Sequence, residues 1–211
     1  MYYPSNPTSV LPISIFPYLA LLIQIPMLRK LTKWIYIDWL GWTIEGHFPD
    51  MDVIPKYIVV AAPHTSNWDL PLGIATRIME RSPVGFVGKK SLFRFPYGWL
   101  FRWMGGVPVD RSRSTNYVDA VIQVFNERER FAICIAPEGT RKKVDRLRTG
   151  FYWIARGAGI PLMLTSLNYE DRILKISEPF YPTEDADADM AFILDYFRGV
   201  KGKNPENSIY F

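Results

Sequence analysis

The chain has 211 residues, enough for one well-buried domain and short for two. Hydrophobic residues make up 48% and charged residues 22%, which excludes a disordered chain; one Cys excludes a disulfide framework, and two His nearly exclude a multi-His metal centre. A net charge of +4 permits an anionic partner (membrane, phosphate or nucleic acid) without choosing one, and the 15% of aromatic residues suit a large core or a membrane–water interface.

Residues 10–28 are almost wholly apolar and just reach the length of a spanning helix. Pro12, Pro17 and Pro26 argue against one continuous helix, and no basic residue precedes the run as a secretory signal needs. Arg29, Lys30 and Lys33 follow beside Trp34, Tyr36 and Trp39, a mixture suited to lying on an anionic lipid surface. Residues 1–41 are therefore expected to be a monotopic membrane-attachment segment and residues 42–211 the main domain. The competing reading is a buried N-terminal helix with solvated lysines on its far side.

From residue 42 the pattern alternates between strand and helix. Short apolar runs predict strands over 42–46, 57–62, 84–87, 107–109, 131–135, 161–167 and 173–176. Helices are expected from Asn67 or Asp69 towards Arg81, over 117–128, 151–157 and 190–197, with a weakly helical aromatic stretch over 93–104. The alternation implies an α/β fold with a mixed, largely parallel sheet flanked by helices. Ligands of such sheets gather beyond the carboxyl ends of the strands, which draws attention to His64 and Glu138, each just past a buried strand.

If the chain turns into a helix after His64, Asp69 returns beside the imidazole after about one turn. A carboxylate on one ring nitrogen fixes the tautomer and leaves the other as a general base. The plainer alternative is a core histidine and a first-turn aspartate favoured by the helix dipole. Pro137-Glu138-Gly139-Thr140-Arg141 should open on the same edge: Gly139 permits close backbone approach, and Arg141 can hold an anionic oxygen pair. A turn with a solvated arginine is its plainer reading. Lys89, Lys90 and Arg111 flank an aromatic stretch carrying Arg94 and Arg102, and could neutralise a phosphate. Core packing with outward-snorkelling cations, or single-stranded nucleic acid, would use similar residues. Cys134 lies inside a strand, a poor place for a reactive thiolate.

In this order, 64–69, 105–111, 137–141 and 160–164 resemble the four blocks of the glycerophospholipid acyltransferases, most closely the bacterial 1-acylglycerol-3-phosphate (lysophosphatidate) acyltransferases. Two positions depart from that pattern: Ala136, where an aromatic residue is usual, and Lys142-Lys143, where a serine is common. The resemblance implies transfer of a fatty acyl group from acyl-CoA or acyl-ACP, as co-substrate, to a lysophospholipid hydroxyl. His64 would be the base, Asp69 its support, and Arg111 with Glu138, Gly139, Thr140 and Arg141, helped by Lys89 or Lys90, the acceptor-binding set. No metal or resident cofactor is implied and no nucleic acid is expected; the partners are the membrane lipid surface, the acceptor and the acyl carrier, at the cytoplasmic face of the cell membrane. The alternatives are a lyso-aminolipid or other non-phosphate acceptor, and a membrane- or nucleic-acid-binding module without chemistry.

Overall fold

The computed structural model of the protein describes residues 25–109 and 117–208. Helix α1 (Pro26–Lys33) passes into a π-helical turn (Trp34–Trp39) and then strand β1 (Thr43–Glu45). There follow β2 (Lys56–Ala62), α2 (Asp69–Met79), β3 (Phe86–Lys89), a 3-10 turn (Lys90–Phe93), α3 (Gly98–Trp103) and β4 (Gly106–Val109). Then come α4 (Tyr117–Asn126), β5 (Phe131–Ile135), α5 (Gly150–Ala158), β6 (Leu162–Asn168), β7 (Ile173–Ile176) and α6 (Ala186–Tyr196).

Five strands form one sheet in the order β1-β7-β6-β2-β5, and β3 and β4 form a parallel pair. A bridge from Gly85 to Ile133 sets that pair alongside β5. Pairing is parallel throughout except between β6 and β7, so the expected mixed, largely parallel sheet is present. β2 reads as an unbroken apolar run because it is covered on both sides. Ile58, Val60, Ile133, Leu162 and Leu164 meet α4, α5 and α6 on one face. Tyr57, Val59, Met163, Leu167 and Leu174 meet α2 and Trp42 on the other. The period-two alternation of a strand creates these two cores from single segments.

Helix α1 is tied to α2 by Arg29, whose Nε donates to the Met79 carbonyl at 2.8 Å. Tyr36, Ile37 and Leu40 extend the second core, while Met27, Leu31, Trp34 and Trp39 remain exposed. Among the described residues no helix is long and apolar enough to cross a membrane. Residues 1–24, and with them most of the apolar run over 10–28, lie outside the described residues.

Most predicted boundaries move by one or two residues, the strand expected over 84–87 being β3 at 86–89, and two differences are larger. The last helix starts four residues early, because Asp185 caps it by accepting from Ala188 N at 3.0 Å; the acidic run before Met190 is its first turn. The aromatic stretch over 93–104 divides into the 3-10 turn and α3, separated by residues 94–97 with Pro96 among them. Phe93 is buried while Phe95, Tyr97 and Trp99 are exposed, so the stretch is both core and surface.

The carboxyl-terminal segment is strapped onto the loop after β2. Asn204 N donates to Thr65 Oγ1 at 3.1 Å and Asn204 Nδ2 to the Thr65 carbonyl at 2.9 Å. A Cβ on Gly202 would stand 2.5 Å from Thr65 Oγ1 and 2.8 Å from its Cγ2. Gly202→Ala should therefore displace Thr65 and destabilise the fold by about 1–3 kcal/mol, as overpacking does, read as a lower urea midpoint with an unchanged slope.

Candidate active site

The parallel strands β2, β5 and β6 all deliver their carboxyl ends to one edge of the sheet. β2 leads through Pro63 to His64, β5 through Ala136-Pro137 to Glu138, and β6 directly to Tyr169. Helix α2 begins at Asp69, so the chain reverses within a few residues of His64, as the sequence spacing predicts.

His64 Nδ1 and Asp69 Oδ2 are 2.9 Å apart. The same oxygen accepts from Thr65 N at 3.0 Å and Ser66 N at 2.9 Å. The other carboxylate oxygen accepts from the Tyr169 hydroxyl at 2.8 Å. An anionic acceptor surrounded by donors receives a proton-bearing Nδ1, so in the neutral ring Nε2 carries the lone pair. The imidazole side chain is 29% exposed and the carboxylate only 4%, so an outside molecule can reach the ring but not its support.

Glu138 ties the two loops together. Its Oε1 accepts from His64 N at 2.8 Å, while Oε2 is buried with no hydrogen-bond partner among the described residues. Burial raises its pKa above the usual carboxylate value, partly offset by the bond from His64 N. Arg141 Nη1 donates to Asn67 Oδ1, closing a second bridge between the loops. Gly139 holds φ +65°, and a Cβ there would stand 3.1 Å from the Arg148 guanidinium. Thr140 Oγ1 accepts from Lys142 N at 3.3 Å and shapes the turn.

The structure thus brings His64, Asp69, Glu138 and Arg141 together, with Gly139 and Thr140 in the connecting turn. Lys89 ends β3 in register with Val109, and exposed Lys90 opens the 3-10 turn after it. Arg111 lies outside the described residues. Sequence reasoning missed Tyr169, although it sits one residue past a strand, the same signal that singled out His64. It also missed the strap from Asn204, for which no local pattern exists.

Beside the pair lies a cavity of about 250 Å³ between α2 and one face of the sheet. His64 and Leu70 border its exposed end, and Val59, Leu167 and Leu174 line its apolar wall. Ala61, Gly73 and Ala136 keep it open by being small, and a Cβ on Gly73 would meet nothing within 4 Å. Arg77 and Cys134 border its inner end, where Arg77 Nη1 donates to the Met104 carbonyl at 3.1 Å. Burial pushes the Cys134 thiol up to about 11, so it stays neutral, in line with the sequence reading.

The electrostatics of Glu138 make a measurable difference. An acid whose folded pKa exceeds its unfolded one stabilises at low pH and loses that contribution as pH rises through the folded value. Glu138→Gln keeps an acceptor for His64 N and removes the buried charge. Its stability relative to the parent should therefore increase as pH rises above the ordinary value of 4.5, read from denaturant midpoints at acid and neutral pH.

A family model for acyltransferases matches residues 47–164, more than half of the chain. The structure is similar to that of the 1-acyl-sn-glycerophosphate (LPA) acyltransferase PlsC from Thermotoga maritima, with 23% sequence identity and a TM-score of 0.52, over 80% of this chain and 74% of that one. No curated protein matches the chain. The family match spans both loops that meet at the sheet edge, from His64 through Arg141, and on that match the chain belongs to the acyltransferase family.

Proposed function

We propose that the protein moves a fatty acyl group from a thioester, acyl-CoA or acyl-ACP, to the free hydroxyl of a lysophospholipid, with lysophosphatidate the first candidate acceptor. The observation that carries this reading is the His64–Asp69 pair, with its ring exposed at the end of an apolar cavity. The cavity suits a hydrocarbon chain, since its walls are mostly apolar and one end is open.

In this mechanism the acceptor hydroxyl gives its proton to His64 Nε2 while its oxygen bonds to the thioester carbonyl carbon. Asp69 stabilises the imidazolium through Nδ1. The tetrahedral intermediate then expels the thiolate, the carbon–sulfur bond breaks, and the imidazolium returns the proton to sulfur. No covalent enzyme intermediate forms. Arg141, Lys89, Lys90 and Arg111 would serve the acceptor phosphate. Arg141 would exchange its bond to Asn67 for a phosphate oxygen, a stronger partner for a guanidinium. The structural likeness to PlsC is consistent with this acceptor class.

Both substrates carry hydrocarbon chains, so the reaction belongs at a bilayer, on the cytoplasmic face where acyl thioesters are found. Exposed Leu31, Trp34 and Trp39 beside Lys30 and Lys33 support attachment through α1 and the π-helical turn. Exposed Phe95 and Trp99 beside Arg94 offer a second contact of the same chemistry.

The test is acyl transfer by purified protein on phospholipid vesicles, with lysophosphatidate or a lyso-aminolipid as acceptor and acyl-CoA or acyl-ACP as donor. His64→Ala should lower kcat by about a hundred- to ten-thousand-fold, the usual worth of a positioned acid–base group. Unchanged transfer would sink the reading, and preference for the lyso-aminolipid would move the acceptor assignment. Gly73→Met should fill the cavity, lowering kcat/KM for long acyl donors more than for short ones. Equal losses across chain lengths would place the acyl chain elsewhere.

A further inference from the structure

Tyr169 belongs to none of the four sequence blocks, yet its hydroxyl donates to Asp69 Oδ1, the carboxylate oxygen that His64 does not use. The phenol can only donate there, because burial and the adjacent carboxylate raise its pKa and keep it protonated. Its ring is held independently on several sides. Trp42 meets it edge-on, with centroids 4.9 Å apart and planes at 89°. Its backbone N donates to the Lys201 carbonyl at 2.8 Å, and Lys203 Nζ lies 5.8 Å from its ring centroid.

The geometry points to Tyr169 as a positioning residue for the acid–base pair. Three donors hold Oδ2, all from residues 64–66; Tyr169 alone among the described residues anchors Oδ1, and it does so from the position just after β6. It therefore fixes the rotation of the carboxylate about its side-chain bond and, through Oδ2, the orientation of the imidazole. It also shares the carboxylate's charge, so removing the phenol leaves more of that charge to the imidazole. Trp42 keeps the hydroxyl in place and joins the pair to the chain that follows the π-helical turn.

This rests on the acyl-transfer reading for its kinetic arm and stands apart from it for its spectroscopic arm. His47 and His64 are the only histidines, so His47→Gln leaves one imidazole whose titration can be followed by NMR without turnover. In the full chain, Tyr169→Phe should raise the His64 midpoint by about half a pH unit to one. An unchanged midpoint in a folded variant would overturn the proposal. In the transfer assay the same variant should lose tenfold to a hundredfold in kcat, roughly what a hydrogen bond to a charged group supplies, with both KM values nearly unchanged. A KM rise at constant kcat would make Tyr169 a substrate contact and overturn the proposal as well. Trp42→Leu, which keeps the hydroxyl but loosens the ring, should shift both readouts in the same direction by less, and gives the answer should Tyr169→Phe fail to fold. Parental values for midpoint and kcat in that variant count against the assignment. Absence of acyl transfer by the parent chain would refute the proposed function while leaving the titration result to decide Tyr169.

Discussion

One carboxylate organises the reactive edge of this molecule. Asp69 accepts from an imidazole, two backbone amides and a phenol, and those donors come from the loop after β2 and from the end of β6. An anion held at 4% exposure is tolerable only when its lone pairs are this fully engaged. Taking it away would do more than remove a charge, since the turn at 64–66, the start of α2 and the end of β6 would lose their common partner.

Glu138 is the opposite case. One oxygen is engaged by the His64 amide and the other is buried with no partner among the described residues, so its charge is held at a cost. Two acids a short way apart are thus placed in different electrical surroundings, one with its charge satisfied and one pushed towards neutrality. The first suits support of a cation on the imidazole. The second suits a brace between two loops.

Much of the fold was legible because local and global signals agree. The run over 57–62 is uninterrupted because β2 is covered on both faces, and the spacing of Val118, Val121, Ile122 and Phe125 matches the side of α4 that faces the core. The spacing between His64 and Asp69 reads correctly because one short turn determines both positions. Tyr169 was not read, because its contact spans 100 residues and depends on β6 lying next to β2. The cavity was equally invisible, since it arises from Ala61, Gly73 and Ala136 converging from three elements, and small residues carry no pattern of their own. The aromatic stretch was ambiguous in a different way: Phe93 is buried while Phe95, Tyr97 and Trp99 are exposed, so composition alone assigns neither.

The bond from Arg29 to the Met79 carbonyl has a mechanical consequence. Helix α2 carries Asp69 at its first residue and Met79 at its last, so α1 is joined to the far end of the helix that bears the carboxylate. A shift of α1 along that bond would therefore be felt, through the eleven residues of α2, at the carboxylate beside His64.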